Sequence, residues 1–429
     1  MNEEVWKELK TWLLELNVIE DSVEAPQEIK RLDLSGKSLN ELNENIGLLD
    51  ELVSLNLSGN NLQSLPSSMF LMQKLNSLDL RRNQFTKLPT VLVQLQLRSL
   101  NLSGNMLDDI GDLAHLPNVR VLDLSVNAIT SLDGVFSKSN EIRTLNLSCN
   151  YLKDVEDLFL SLPNTERLDL SGNMITQIPA TIEQMESLVD LKISNNVIEH
   201  IDDTFFSLGI ETLDLSSNKL YWLKLHGLEE LEHLILDFNP IKHIEVSDDF
   251  APYLEEFSCD GCGLKNCVPL KSEHLHTLCY SSNEIMKIPE SIGRLVGLKQ
   301  LDIEGNKIID LPDSMANLSE LNTLYIEGNP LSESARKVVE VLHPEICDIN
   351  MITGITIEVA TENDLTEMAH LLSLLFAIEQ DFEIDYEKQL SGITKLFHHA
   401  GKNLLVAKHE NRVVGMVTMQ RLISSAEGD

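Results

Sequence analysis

The stretch that decides the fold is Leu52-Val-Ser-Leu55-Asn-Leu57-Ser-Gly-Asn60-Asn-Leu62, which has the form L-x-x-L-x-L-x-x-N-x-L. The same form returns in fourteen units spaced by 21 to 23 residues. Its Asn place, which we call the marker position, falls at residues 37, 60, 83, 105, 127, 150, 173, 196, 218, 239, 262, 283, 306 and 329. Asn fills it everywhere except at Lys37 and Cys262. A fixed period in this range predicts a solenoid of stacked repeats.

Each unit contains a short strand whose leucines point inward while the residues between them point to solvent. Neighbouring strands then form one parallel sheet, and the marker Asn hydrogen-bonds buried backbone groups of adjacent units. A Leu-Pro or Ile-Pro pair starts five return segments, at Pro66, Pro89, Pro179, Pro289 and Pro312. With this pattern the chain resembles intracellular leucine-rich-repeat proteins of the bacterial and plant type, over roughly two-thirds of its length. The resemblance implies an α/β horseshoe with the parallel sheet on its concave face.

The sequence divides into four predicted segments. Residues 1–26 carry a helix with Leu9 and Leu13 on one face, which we interpret as a cap on the first repeat. A helix that binds a partner is the alternative. About fourteen repeats occupy residues 27–331, and a C-terminal cap and connector occupy residues 332–351. Residues 352–429 have a different pattern and are predicted to form a separate segment.

That last segment reads as strand 355–359, a helix from residue 365, a helix over 385–397, and strands 403–407 and 413–420 joined as a hairpin. It contains Glu358-Val-Ala-Thr-Glu-Asn-Asp364-Leu and Leu375-Phe-Ala-Ile-Glu379-Gln-Asp381-Phe382. In order and wording it resembles the start of a GNAT-type N-acetyltransferase domain. The resemblance implies acetyl transfer from acetyl-CoA by a complete parent, with Glu379, Asp381 and Phe382 on the acceptor side. An ordinary polar loop is an equally good interpretation of those three residues.

The acetyl-CoA loop of that family has the form (Gln/Arg)-x-x-Gly-x-(Gly/Ala), and its backbone N–H groups hold the pyrophosphate. It belongs after the next strand, and the sequence given ends at Asp429 before such a segment. We therefore predict an incomplete domain with no catalytic or cofactor-binding residues of its own. Activity is not expected from this chain.

The composition of the chain limits the classes of partner that we expect. Lys and Arg number 33 against 68 Asp and Glu, a net charge of −35, which argues against nucleic acid and anionic membranes as partners. The acidic start, Met1-Asn-Glu-Glu-Val, is unlike a signal peptide, and no apolar run has the length of a membrane span. The six cysteines do not form the terminal clusters of extracellular repeat proteins. A cytoplasmic location is therefore predicted.

A zinc site is suggested by Cys259-x-x-Cys262 with the nearby Cys267, His274, His276 and Cys279. The repeat pattern disfavours it. Cys259 takes a leucine place and Cys262 a marker place, both inward, whereas Cys279 takes an outward place. We therefore predict structural cysteines and no metal.

The outward strand positions carry a charge pattern. Arginines concentrate in the units with markers 83 to 173, and Arg98, Arg120 and Arg143 occupy equivalent places in three consecutive repeats. Acidic residues concentrate in the units with markers 218 to 329. A basic half followed by an acidic half would orient a partner protein of opposite polarity. A merely soluble surface is the alternative.

Ile235 and Phe238 are apolar at positions that should face solvent, and His233, Cys279 and Tyr325 belong to the same face. An apolar cluster inside a charged rim is typical of a protein-binding hot spot, although single exposed apolar residues are common. The predicted partner-binding residues on the concave face are Arg98, Arg120, Arg143, Arg167, His233, Ile235, Asp237, Phe238, Asp260, Cys279 and Tyr325. The sequence thus predicts an interaction scaffold. The alternative is the substrate-recognition part of a protein N-acetyltransferase.

Overall fold

A computed structural model describes residues 3–111, 113, 116, 118–136, 141–342, 348–349, 356–371, 386–400, 404–409 and 412–418. The chain forms two compact units, the first of residues 1–324 and 329–348 and the second of residues 325–328 and 349–429.

The leucine-rich-repeat solenoid with its parallel sheet is confirmed. Each predicted repeat supplies one three-residue strand centred on a buried leucine or phenylalanine, and within the described residues fourteen such strands follow one another in a single sheet. These are β1 Arg31–Asp33, β2 Ser54–Asn56, β3 Ser77–Asp79, β4 Ser99–Asn101, β5 Val121–Asp123, β6 Thr144–Asn146, β7 Arg167–Asp169, β8 Asp190–Lys192, β9 Thr212–Asp214, β11 His233–Ile235, β13 Glu256–Ser258, β14 Thr277–Cys279, β15 Gln300–Asp302 and β16 Thr323–Tyr325. The two-residue strand β17, Asp348–Ile349, is also assigned to this sheet.

Most return segments contain a short 3-10 helix, and five of these begin directly after Pro66, Pro89, Pro179, Pro289 and Pro312. Pro fixes φ and has no N–H to donate, so it ends strand pairing and starts the turn. Among the described residues, the 3-10 helices of the repeats are Pro26–Glu28, Glu44–Leu48, Ser67–Leu71, Thr90–Gln94, Ala180–Gln184, Asp203–Ser207, Glu290–Arg294 and Asp313–Asn317, and one segment contains the α-helix α2, Glu156–Ser161.

Two adjacent repeats depart from this plan. Their return segments form the parallel strands β10, Trp222–Leu225, and β12, His243–Val246, in a separate two-stranded sheet. Inward and outward residues alternate in β10, since Leu223 and Leu225 are buried while Trp222 is exposed. This alternation produces a strand where most other repeats have a helical turn.

The marker asparagines form the predicted hydrogen-bond ladder. Asn150 shows the pattern, because its Nδ2 donates to the carbonyls of Leu124 at 3.1 Å and Leu147 at 3.0 Å. Its Oδ1 accepts from the N–H of Ile129 at 3.1 Å. The side chain thus satisfies backbone groups of its own and the preceding repeat, all away from water, where an unmade hydrogen bond is costly.

The two marker residues that are not asparagine, Lys37 and Cys262, make different hydrogen bonds. Lys37 has no complete repeat before it, and its Nζ donates instead to the carbonyl of Leu16, 2.8 Å away. The Sγ of Cys262 donates to the carbonyls of Leu236 at 3.3 Å and Asp260 at 3.4 Å, in place of an amide.

Both ends of the solenoid carry a helix. The predicted N-terminal helix α1 spans Glu3–Glu15 and buries Leu9 and Leu13 completely. At the other end α3, Glu333–Val341, begins with Ser332 as its N-cap and buries Ala335 and Val339. None of the helices in the described ranges is both long and apolar enough to cross a bilayer.

In the second unit the antiparallel strands β18, Thr356–Val359, β19, Leu404–His409, and β20, Arg412–Thr418, form a sheet in that order. A 3-10 turn, Glu362–Asp364, leads into helix α4 at residues 365–371, and helix α5 spans Tyr386–Ala400. The described core of the second unit consists of Ala360, Met368, Ile393, Val406 and Val413.

Candidate partner-binding face

The solvent-facing side of the parallel sheet, which we call the sheet face, carries most of the predicted partner-binding residues. The residue after each central strand leucine lies on it. In the first seven repeats this residue alternates between aspartate and asparagine, at Asp33, Asn56, Asp79, Asn101, Asp123, Asn146 and Asp169. Each side chain accepts a hydrogen bond from the backbone N–H two residues later. The acceptor holds the turn that ends the strand.

The alternation keeps carboxylates from facing each other across neighbouring strands, where like charges destabilise a sheet. Asn101 Nδ2 donates to Asp123 Oδ2 at 3.2 Å. The aspartates also change the predicted charge pattern, because Asp79, Asp123 and Asp169 lie in the half that was expected to be basic. That half is a column of arginines beside a column of alternating carboxylates and amides.

Arg98, Arg120 and Arg143 occupy equivalent places, as predicted. The N–H of Arg120 donates to the carbonyl of Arg98, and the N–H of Arg143 to that of Arg120, both at 2.8 Å. Two of the three guanidinium groups have carboxylate partners, Arg120 with Glu141 at 3.3 Å and Arg143 with Glu166 at 3.8 Å. Arg167 lies one residue further along its own repeat, so it is outside this column.

In the tenth and eleventh repeats the aspartates move two residues along the chain, to Asp237 and Asp260. Asp237 Oδ1 accepts from the hydroxyl of Ser258 at 2.6 Å and from the N–H of Asp260 at 2.8 Å. Asp260 Oδ1 accepts from the N–H of Ser281 at 2.6 Å. These bonds connect three repeats through side chains on the sheet face.

Burial raises the pKa values of several acidic groups on the sheet face. Burial, followed by the charge of Asp237, raises the pKa of Asp260 to about 6. Burial also raises the pKa of Asp302. Burial raises the pKa of Cys279 to about 12, with the surrounding aspartates adding to the effect. The Cys279 thiol is therefore protonated and unreactive near neutral pH.

Phe238 is the most exposed large apolar side chain on this face, with 65% of its surface accessible. Its backbone φ is +56°, in the left-handed region. Every repeat is left-handed at this place, and half of them use Gly, at Gly36, Gly59, Gly104, Gly172, Gly261, Gly305 and Gly328. A phenylalanine here costs conformational energy that a glycine avoids.

The other predicted residues of this region lie on β11 and β14 or directly after β11 and β13, which are consecutive strands of the sheet. His233 Nδ1 is 3.2 Å from Glu256 Oε2 on the neighbouring strand. Ile235 is half-buried between Asp214 and Ser258, its register partners on the two adjacent strands. We call His233, Ile235, Asp237, Phe238, Asp260 and Cys279 the Phe238 cluster.

Tyr325 and the three predicted acceptor-side residues are, like the arginines, not part of this cluster. Tyr325 is half-buried in β16 and belongs to the second compact unit, so the cluster is defined without it. Glu379, Asp381 and Phe382 lie outside the described residues.

The cysteines of the suggested zinc site do not form a metal-binding group in the described part of the structure. Over the described residues, His, Cys, Asp and Glu side chains form no group of three that could hold a metal ion. Cys259 and Cys262 are both buried, and the neighbouring Cys262 side chain together with burial raises the pKa of the Cys259 thiol. None of the five cysteines in the described part of the chain is in a disulfide.

Sequence reasoning missed two features of the sheet face. One is the left-handed position that presents Phe238, although the recurring glycines at that place were visible. The other is Val121 and Val126, which are 44% and 55% exposed among the arginines. Their positions in the repeat would have identified them.

Comparisons with known proteins agree with the fold. Family models described as "Leucine rich repeat" match residues 50–107, 140–198 and 186–241, and "Leucine Rich repeats (2 copies)" match residues 95–134 and 117–160. The chain therefore carries leucine-rich repeats. Among curated proteins, none is detectably similar in sequence.

Solved structures give the same result. A leucine-rich-repeat protein of Leptospira interrogans is 25% identical with a TM-score of 0.65, over 75% of this chain and 96% of that one. The functional domain of InlJ from Listeria monocytogenes is 23% identical with a TM-score of 0.58, over 72% and 65%. TLR13 in complex with ssRNA13 is 21% identical with a TM-score of 0.55, over 74% and 53%. At these identities the last two show a shared fold alone.

Proposed function

Since the chain carries leucine-rich repeats, we propose that it is an interaction scaffold that binds a partner protein on the sheet face, at the Phe238 cluster. The observation that carries the proposal is Phe238 itself. It is an aromatic side chain, 65% exposed, at a backbone position where half of the repeats have glycine. A phenylalanine at this position costs conformational energy, and its ring is mostly exposed to water. The stability of the isolated chain therefore does not explain why the residue is there.

The surroundings of Phe238 support a protein as the partner. Aromatic side chains with a polar rim are typical centres of protein interfaces. Here the rim contains His233, Glu256, Asp237 and Asp260, and the net charge of −35 disfavours nucleic acid. A partner with basic side chains around an apolar pocket fits this surface.

The test is a paired substitution. Ile235→Asp with Phe238→Asp adds charge where the partner would bury apolar surface, and we expect loss of the proteins that copurify with the wild-type chain. Val296→Asp is the matched control, because Val296 is 52% exposed in a return segment, away from the sheet face. Equal copurification by the double variant and the control would remove the Phe238 cluster from the proposal.

A second candidate function is favoured by the second unit. Its order is β18, α4, α5, β19 and β20, with β19 and β20 antiparallel, as the resemblance to the start of a GNAT-type domain implies. In this version the repeats select a polypeptide substrate for a protein N-acetyltransferase that uses acetyl-CoA. Glu379, Asp381 and Phe382 would lie on its acceptor side.

The coding sequence beyond Asp429 separates the two candidates. A further strand followed by (Gln/Arg)-x-x-Gly-x-(Gly/Ala) would favour the acetyltransferase, because that loop supplies the N–H groups for pyrophosphate. A stop codon directly after Asp429 would remove this candidate. Calorimetric titration of the present chain with acetyl-CoA is expected to give no heat of binding.

A further inference from the structure

A polar cavity of about 440 Å³ lies at the amino ends of the strands in the third to sixth repeats. The residues on which its chemistry depends are Lys74, Asn76, Gln96, Arg98, Asn118 and Arg120. Amide groups and cations therefore make up most of its lining. It is separate in sequence from the Phe238 cluster, which begins at β11.

Several cationic side chains of this region pair with a carboxylate from a neighbouring repeat, and Arg98 is an exception. Glu51 bonds both Lys30 and Lys74. In the fifth repeat Arg120 is paired with Glu141, which lies four residues before the central leucine of the next strand. Each of these cations is thus matched by a carboxylate from a neighbouring repeat.

For Arg98 the equivalent place in the next repeat holds Asn118, an amide. Asn118 Nδ2 donates to Gln96 Oε1 at 2.8 Å and so fixes its position beside the cavity. Within the described residues, the Arg98 guanidinium has no hydrogen bond or ion pair. It is also stacked in register with Arg120, and like charges on adjacent strands repel each other.

We propose that this cavity binds a carboxylate side chain of a partner polypeptide, with the Arg98 guanidinium as its main contact. An incoming carboxylate would take the place that Glu141 takes for Arg120, and a guanidinium matches a carboxylate with two parallel hydrogen bonds. Asn76 and Asn118 supply further amide groups at the cavity. The proposal rests on the proposed function in taking a polypeptide as the ligand.

Charge favours a carboxylate over a phosphate. The lining contains the cations Lys74, Arg98 and Arg120 and the carboxylate Glu141, and Lys74 shares Glu51 with Lys30. Because Glu141 pairs with Arg120, Arg98 is the cation of the lining that lacks a carboxylate partner among the described residues, and a single carboxylate compensates its one charge. A phosphate monoester would bring close to two negative charges into a protein whose net charge is already −35.

The test uses three blocked peptides, acetyl-Gly-Glu-Gly-amide, acetyl-Gly-Gln-Gly-amide and acetyl-Gly-phosphoserine-Gly-amide. They are titrated into the full chain while the Nε–H resonances of its arginines are followed by NMR. The expected result is a saturable shift with the Glu peptide, assigned to Arg98 by its loss in Arg98→Gln. That variant should bind the Glu peptide at least about tenfold more weakly, because both charge-assisted hydrogen bonds of the guanidinium are lost.

Two further variants make the test specific. Asn118→Glu supplies the missing carboxylate from within the chain, so it should abolish peptide binding while leaving the thermal midpoint unchanged or higher. Arg31→Gln removes an exposed arginine outside the cavity and should bind like the wild type. Equal weakening by Arg98→Gln and Arg31→Gln, binding that survives Asn118→Glu, or tighter binding of the Gln or phosphoserine peptide would each overturn the proposal. None of these outcomes involves Phe238, so failure here is distinguishable from failure of the Phe238 cluster.

Discussion

Phe238 lies with its ring directly over Gly261, at the same place in the next repeat. A Cβ on Gly261 would come 2.8 Å from Cδ1 of Phe238, closer than real side chains approach each other. Gly261 therefore leaves the space in which the ring lies. The orientation of the exposed ring depends on this glycine.

Gly261→Ala is expected to displace the ring and to destabilise the repeats. The backbone there has φ +61°, so alanine costs about 1 kcal/mol for the left-handed conformation alone. The collision with Phe238 should add about 1 kcal/mol more. Gly36→Ala is the matched control, because Gly36 has φ +62° and no atom within 4 Å of the added Cβ. Equal free energies of unfolding for the two variants in urea would contradict the contact.

Phe238→Gly should have opposite effects on stability and binding. Glycine adopts φ +56° without strain, so we expect the free energy of unfolding to rise by about 1 kcal/mol. Partner binding should fall, because the aromatic side chain is lost. Val126→Gly, at the same place five repeats earlier, should stabilise similarly and leave binding at the Phe238 cluster unchanged. Loss of stability in both variants would contradict the proposed strain.

Asn150→Ala should be among the most destabilising single substitutions in the repeats. It removes the bonds to Leu124 and Leu147 and leaves the buried N–H of Ile129 without its acceptor. A cost of about 3 kcal/mol is expected, measured by chemical denaturation. Cys262→Ala is the comparison, with a smaller cost, because the Cys262 thiol makes weaker bonds and the N–H of Ile241 bonds the carbonyl of Asn239 instead. A larger cost at Cys262 than at Asn150 would contradict this account of the ladder.

Asp260 should make the protein less stable as pH rises. Its pKa is raised to about 6 from an ordinary value of 3.8, so the folded state holds a proton that the unfolded state has released. Its contribution to stability is therefore complete below pH 3.8 and lost as pH rises through about 6. Asp260→Asn removes this charge and should raise the thermal midpoint at pH 7 more than at pH 4. An equal change at both values would show that Asp260 titrates normally.

The fold was predictable because the repeat pattern depends on local rules applied many times. Leu55 and Asn60 could be assigned to the core and the ladder from spacing alone, since every unit repeats the same choice. The strand β10 was not predictable in this way, because it lies in a return segment where the pattern sets no residue types. Alternation in Trp222–Leu225 was the only local signal.

The candidate site was predicted in part. The exposure of Phe238 followed from its place in the repeat, but the bonds from Asp237 to Ser258 and Asp260 depend on side-chain directions between repeats. The predicted arginine column is present, but its three guanidinium groups differ in whether they have a carboxylate partner. Whether an arginine has a partner depends on one residue in the next repeat, such as Asn118 or Glu141, which the charge count did not consider.

The central claim is that a partner protein contacts the sheet face at Phe238. The most direct measurement replaces Phe238, and in a separate variant Val296, with the photo-cross-linker benzoylphenylalanine and irradiates the chain in its native cell extract. We predict cross-linked adducts at position 238 that competition by the unlabelled wild-type chain removes, and none of these adducts at position 296. The same adducts at both positions, or at position 296 alone, would contradict it.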